Sequence, residues 1–295
     1  MHKTFAINIR PEDKDSIPYL LKLTKLLRDK GIKILLPDYR ILRESALSGF
    51  ITDQKKIISE PDIALSIGGD GTLLHTVRLF SGKNYPILGI NRGRLGFLTE
   101  FMPDEAIEYL NNIISGNYKV IERDMLELIH IRGYEELQRI LLLNDAAISR
   151  GTYSRPITLN LDIDGKFLNS FSGDGLIIAT PTGSTGYSLS AGGPIISPTV
   201  KDIILIMPIC PHTLATRPLI IPGESRLEVT VGPVFNNTVM TVDGHDSIEI
   251  FGNDKIFFSE TDNKAVFVAH PERNFYEILK QKLSWGRSHQ PEMLT

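Results

Sequence analysis

One cysteine, Cys210, stands in 295 residues. No intrachain disulfide can form from it, and no multi-cysteine metal site is available, so a reducing, cytoplasmic setting is expected. The chain also has no apolar run long enough to span a bilayer. Met1-His2-Lys3 passes straight into a short strand-like run, without the apolar core and small-residue cleavage site of a signal peptide. Neither a Lys/Arg block nor a strong charge imbalance is present. With 32 basic and 35 acidic residues the net charge is −3, which argues against a nucleic-acid backbone as partner and for small ligands. Internal repeats and low-complexity linkers are absent as well.

The length exceeds what one hydrophobic core usually serves, so two domains are expected. Up to residue 116 short apolar runs alternate with segments of helical period. Residues 4–10, 32–36, 62–67 and 86–90 read as strands; residues 16–30, 51–59, 72–80 and 103–114 read as helices. Such alternation implies a Rossmann-like parallel sheet covered by helices, with ligands at the carboxyl ends of the strands. From residue 117 to 270 the period changes to two. Residues 157–163 alternate cleanly, Asp164-Gly165 starts a hairpin, and further runs follow at 175–180, 203–207, 226–231, 238–242, 247–251, 255–260 and 264–269. That many short strands imply a β-sandwich. A last helical segment, residues 274–283, suits return to the first domain, so residues 271–295 are expected to complete the α/β unit.

The chemistry concentrates in glycine-rich junctions. Ile63-Ala64-Leu65-Ser66-Ile67 runs into Gly68-Gly69-Asp70-Gly71-Thr72. Glycines let backbone N–H groups approach an anion, and a helix starting at Thr72 adds its positive end. A Walker loop would carry a Lys there; the Asp would repel a phosphate that it touched. Asp70 therefore suits either the removal of a proton from an attacking hydroxyl or a share in holding magnesium. An Asx turn joining strand to helix is the plain alternative. Gly89-Ile90-Asn91-Arg92-Gly93-Arg94-Leu95-Gly96-Phe97 forms a second such junction. Farther on, Gly173-Asp174-Gly175 precedes the stretch from Thr180 to Pro194, whose hydroxyls, glycines and single ring, Tyr187, suit an adenine. A polar loop between strands would have the same composition. Asn144-Asp145 closes the apolar run 140–143, where a carboxylate suits ribose hydroxyls or a simple strand end. His75 lies one turn into the helix after the first glycine junction. Val242-Asp243-Gly244-His245 reads as a hairpin turn, and Cys210-Pro211-His212 as structural rather than as a nucleophile pair.

Taken in order, these motifs resemble the bacterial NAD kinase family over nearly the whole chain. The resemblance implies an α/β domain plus a β-sandwich domain, assembled as homodimers or homotetramers. It also implies ATP-dependent phosphorylation of the adenosine ribose 2′-hydroxyl of NAD, with Mg2+ accompanying ATP and no fixed protein metal site. Carried over residue by residue, Asp70 matches the general base, and Gly68, Gly69, Gly71 and Thr72 match the phosphate loop. NAD contacts are implied for Asp70, Gly71, His75, Asn144, Asp145, Arg155, Asp174, Thr185, Gly186, Tyr187, Ser188, Ser190 and His245, with Asp174 reaching NAD held mainly by a neighbouring subunit. Two positions depart from the family pattern: Asp145 stands where Glu is usual, and Gly186 where Ala is common. Lipid kinases of the diacylglycerol kinase type resemble the first motif alone, and a non-catalytic dinucleotide sensor would share the binding residues. Neither nucleic acid nor membrane is expected as a partner.

Overall fold

A computed structural model describes residues 2–151, 155–232 and 238–285. The chain divides into two compact units. One takes Met1–Leu73, Leu88–Val120 and the segment from Val268 onward; the other takes Leu74–Ile87 and Ile121–Phe267.

In the first unit, β1 (Thr4–Ile9), β2 (Lys33–Leu35), β3 (Ile63–Gly68) and β4 (Pro86–Asn91) lie in the order β2-β1-β3-β4. β1 is parallel to both β2 and β3. Its residues and those of β3 are buried almost without alternation, as expected where helices cover both faces of a sheet. The helix Ile17–Asp29 buries Leu20, Leu23 and Leu27 at helical spacing. These side chains join Phe5, Ile7, Leu65, Ile67 and Phe101 in one core. After the final strand, Arg273 pairs with Glu105 at 2.6 Å, and Asn274 caps the helix Phe275–Lys282 by accepting the Glu277 N–H.

Two elements differ from the sequence reading here. The helix expected from Thr72 starts at Asp70 and runs to Leu79. Gly69 and Gly71 weaken the helical signal, yet the Leu73 N–H reaches the Gly69 carbonyl at 3.1 Å and closes a first turn in which an acidic side chain is favoured by the helix dipole. The single helix expected over 103–114 is two, Pro103–Glu108 and Leu110–Ser115, parted at Tyr109.

The second unit is a pair of antiparallel sheets. One contains β5 (Val120–Arg132), β6 (Glu135–Leu142), β8 (Ile157–Ile163), β9 (Lys166–Gly173), β13 (Leu227–Val231) and β16 (Lys255–Val268). The other runs β12-β11-β10-β7-β14-β15, with β7 (Asp145–Arg150), β10 (Gly175–Ala179), β11 (Ile203–Ile209), β12 (Leu219–Pro222), β14 (Thr238–Val242) and β15 (Asp246–Ile250). Leu159, Leu227 and Phe258 from the first sheet share a core with Ile148, Leu176 and Ile204 from the second, so the sheets pack as a sandwich. The runs read as 255–260 and 264–269 form one strand, β16. A partly exposed stretch around Asp262 breaks the side-chain pattern there, while backbone pairing is indifferent to it. Among the described residues no helix is long and apolar enough to cross a membrane.

Candidate active site

In the first unit the glycine junction that ends β3 brings Asp70 against the turn after β4. Asp70 Oδ2 accepts the Phe97 N–H at 2.8 Å. Oδ1 accepts the Leu98 N–H at 3.2 Å, the Thr99 N–H at 3.0 Å and the Thr99 hydroxyl at 2.9 Å. Oδ1 is thus fully engaged, whereas Oδ2 keeps a lone pair for a further proton or donor. Gly96 makes the approach possible, because a Cβ there would overlap Asp70 Oδ1 and lie 2.5 Å from Thr99 Oγ1. Gly96→Ala is therefore expected to lower stability by about 1–3 kcal/mol. Thermal unfolding checks this, and the loss should shrink in an Asp70→Ala background; an equal loss in both backgrounds would refute the contact.

Gly68, Gly69 and Thr72 line a cavity of about 620 Å³ together with Arg10, Lys14 and Arg92. Arg92 is fixed by Asp13, at 2.8 Å, and by the Ser16 hydroxyl, at 2.7 Å. Burial works against ionisation of Asp13, but its hydrogen bonds from Ser16 and Arg92 hold its pKa below the usual carboxylate value. The sequence does not single out Arg10, Lys14 and Arg92 as site residues. Their only signal was position, since Arg10 follows β1 and Arg92 follows β4, both at carboxyl ends.

The second unit gathers another cluster around Asn144 and Asp145. Asp243, in the hairpin turn after β14, accepts the N–H groups of Leu143, Asn144 and Asp145 at 3.0, 2.7 and 3.1 Å. On the other side, the Thr180 N–H donates to the Asn144 carbonyl at 2.9 Å, and the Thr180 hydroxyl donates to the Leu143 carbonyl. The backbone bearing Asn144 and Asp145 is clamped twice. Asn144 Oδ1 is buried without a hydrogen-bond partner, an acceptor left for a donor from outside the protein. Asp145 Oδ2 accepts the Tyr187 N–H at 3.3 Å. A Cβ on Gly186 would come within 2.9 Å of that same oxygen, so the glycine gives the carboxylate its place.

Burial acts against ionisation of two carboxyls in this cluster. Burial, then the neighbouring charge of Asp243, pushes Asp145 up to about 7. Burial also raises Asp243, opposed by its three N–H donors and the charge of His245. Those donors favour the charge on Asp243, so the proton of the pair belongs to Asp145. The sequence reads Asp243 only as a turn residue; Asp-Gly accounts for the hairpin and hides the carboxylate's second task.

The His75 and His245 rings meet edge to face with centroids 6.4 Å apart. Tyr187 presents a ring that is 46% exposed, and Ser190 is exposed too. Thr185 donates its hydroxyl to the Thr182 carbonyl at 3.0 Å. Ser188 is fully buried, its hydroxyl packed against Gly193, so it lies under the loop surface and not on it. Asp174 pairs with Arg150 at 3.1 Å, and Arg155 is exposed ahead of β8.

Comparison with known proteins matches both parts of the chain. Residues 5–118 match the ATP-NAD kinase N-terminal domain, and residues 143–270 match the ATP-NAD kinase C-terminal domain. The chain belongs to the ATP-NAD kinase family. It is 42% identical to the NAD kinase of Trichlorobacter lovleyi over 79% of this chain and 82% of that one. Identity to the NAD kinase of Geotalea daltonii is 36% over 96% and 99% of the two chains. Among solved structures it resembles yeast NADH kinase complexed with NADH, with a TM-score of 0.89 and 28% identity, covering 98% of this chain and 89% of that one. The fold is also that of an NAD kinase from Archaeoglobus fulgidus, with a TM-score of 0.75 and 24% identity over 96% and 100% of the chains. The α/β plus β-sandwich architecture read from the sequence is thus the architecture of the family. The hydroxyl-rich stretch 180–194 lies inside the C-terminal match, where a lipid kinase sharing only the first glycine motif would have none.

Proposed function

We propose that this chain transfers the terminal phosphoryl group of ATP to the adenosine ribose 2′-hydroxyl of NAD, giving NADP and ADP. The observation that carries the reading is the match of both family domains, which together take in most of the chain. The likeness to yeast NADH kinase complexed with NADH supports a nicotinamide dinucleotide as acceptor.

Asp70 acts as the general base through Oδ2, the oxygen with a lone pair to spare. As the 2′-oxygen bonds to phosphorus its proton passes to Asp70, and the bridging P–O bond breaks with its electrons leaving on ADP. A secondary hydroxyl is a weak nucleophile at neutral pH, so removal of its proton in the transition state is where a placed carboxylate helps. Gly68, Gly69 and Thr72 approach the donor's phosphates in the 620 Å³ cavity, where Arg10, Lys14 and Arg92 offset its charge, and Gly71 completes the phosphate loop. In the β-sandwich unit, Asn144, Asp145, Thr185, Gly186, Tyr187 and Ser190 contact NAD, with His75, His245, Arg155 and Asp174 in supporting contacts. Ser188, being buried, shapes that loop from beneath.

Magnesium fits the residues present. Asp13 is committed to Arg92 and Ser16, but Glu12 and Asp15 line the same cavity. An ion held chiefly by phosphate oxygens, with one of these carboxylates as protein ligand, suits the way magnesium binds. It would neutralise charge on the triphosphate. We further place the protein in the cytoplasm, which the lone cysteine supports, and infer a homo-oligomer. Phe167, Leu168, Leu214 and Ile220 are exposed apolar side chains of the sandwich unit that favour such association.

Incubation of the pure protein with NAD, ATP and magnesium, read by a dehydrogenase that accepts only NADP, tests the activity. NADP is expected. A folded protein that binds NAD and makes none would be a dinucleotide sensor instead.

A further inference from the structure

Thr99 holds Asp70 with both its main chain and its side chain, and its place follows from β4. The Asn91 N–H donates to the Phe101 carbonyl at 2.7 Å and the Phe101 N–H to the Gly89 carbonyl at 3.2 Å, so the chain after the turn runs alongside the end of β4. Gly89 lets it come close, since a Cβ there would lie 3.2 Å from Thr99 Cα and 3.3 Å from Thr99 Cγ2. Thr99 thus stands beside Asn91, and Asn91 Nδ2 donates to Thr99 Oγ1 at 2.7 Å. Both side chains are buried, Thr99 fully and Asn91 to 4% exposure.

The amide of Asn91 has one workable orientation. Its Oδ1 accepts the Gly93 N–H at 2.8 Å. The reverse orientation would set an NH2 group against that N–H and draw the Thr99 hydrogen away from Asp70. With Nδ2 donating, the Thr99 hydroxyl spends a lone pair on Asn91 and turns its hydrogen to Asp70 Oδ1, 2.9 Å away. The Leu98 and Thr99 N–H groups meet the same oxygen at 3.2 and 3.0 Å. Three hydrogens aimed at Oδ1 leave no place for a fourth. A proton taken up by Asp70 therefore sits on Oδ2, which accepts the Phe97 N–H at 2.8 Å and has a lone pair to spare.

We propose that Asn91 and Thr99 are positioning residues for the general base. The Asn91 amide sets the direction of the Thr99 hydroxyl, the hydroxyl closes Oδ1, and Oδ2 is left as the atom that receives the proton of the ribose 2′-hydroxyl. The inference rests on the kinase reading for the identity of that proton. Thr99 is sealed from solvent and acts only through its neighbours. Asn91 also lines the 620 Å³ cavity, so its part has to be separated from a direct contact with phosphate. A carboxylate fixed at both oxygens keeps the receiving lone pair aimed, and misplacing such a group by about 1 Å can cost about 10²-fold in rate.

Steady-state kinetics of the full chain with NAD, ATP and magnesium test this. Thr99→Val keeps the outline of the side chain without the hydroxyl, and Thr99→Ser keeps the hydroxyl. Thr99→Val is expected to lose about tenfold in kcat, the size of one hydrogen bond to a charged group, with both KM values little changed. Thr99→Ser should recover most of that loss. In an Asp70→Asn background, where the base is gone, Thr99→Val should cause no further fall in kcat. Asn91→Ala should lower kcat by a smaller factor, since the hydroxyl stays but is free to turn, and should add little to Thr99→Val. Removing no bond to Asp70, it carries the test if Thr99→Val fails to fold. An equal fall from Thr99→Val in both backgrounds would make Thr99 a support of the turn alone, and an unchanged kcat would take it out of the reaction; either overturns the proposal. So would a raised KM for ATP with kcat kept in Asn91→Ala, which marks a phosphate contact. Thermal unfolding separates this inference from the kinase reading, because Thr99→Val should lower melting less in an Asp70→Ala background than in the parent. A parent that makes no NADP yet shows this coupling would remove the kinase reading and leave the Asn91–Thr99–Asp70 chain standing. NADP formation untouched by Thr99→Val would do the reverse.

Discussion

Asp70→Asn is expected to keep NAD binding within a few fold of the parent and to lose about 10²- to 10⁴-fold in kcat, the usual cost of removing a placed general base. The hydrogen-bond pattern makes Asn an informative replacement. Three donors converge on Oδ1 and one on Oδ2. An amide can put its carbonyl oxygen where Oδ1 was and keep three of the four bonds. Its NH2 group then meets only the Phe97 N–H, a single opposed pair costing about 1–3 kcal/mol. The turn after β4 should therefore survive, with melting lowered by a few degrees. Asp70→Ala removes every bond to the turn and should destabilise more at similar residual activity. Turnover near the parent's in Asp70→Asn would leave Asp70 as a clamp for the turn and no more.

That double use of Asp70 shows what could be read in the sequence. The Gly-Gly-Asp-Gly junction was visible as a strand end with an anion-binding backbone because glycine and apolar runs act locally. Asp70's engagement with Phe97, Leu98 and Thr99 spans some thirty positions and has no local pattern. The helix onset at Asp70 was obscured by the glycines around it, and the unity of β16 by its partly exposed middle. In the sandwich, clean alternation made β8 and its hairpin to β9 legible. Asp243 was not, because its reach to the backbone a hundred residues earlier depends on β14 pairing with β7. The donor cavity was missed for a similar reason. Arg10 and Lys14 become neighbours of the glycine junction only through the β2-β1-β3 order.

The second large effect concerns the Asp145–Asp243 pair. Asp145 is 5% exposed and Asp243 7%, and no cation is paired with Asp145 among the hydrogen bonds and ion pairs described. Burial and the Asp243 charge raise Asp145 to about 7 in the folded chain, against an ordinary value of 3.8. Between those values the folded state holds a proton that the unfolded state has released, so folding is favoured at low pH and loses that advantage as pH climbs to about 7. Above this the contribution is flat. Asp145→Asn keeps an oxygen for the Tyr187 N–H and cannot ionise. The variant should therefore exceed the parent in stability by an amount that grows from about pH 4 to pH 7 and levels off at about 4 kcal/mol. Thermal unfolding of both proteins without ligand, at several pH values, reads this difference directly. A difference independent of pH, or a variant less stable at pH 8, would place the proton elsewhere. A side chain that weakens its own fold at neutral pH is what a ligand-binding carboxylate looks like before its ligand arrives, so the same substitution should raise the KM for NAD. Stability gained and affinity lost in one variant would tie Asp145 to NAD more firmly than loss of activity alone.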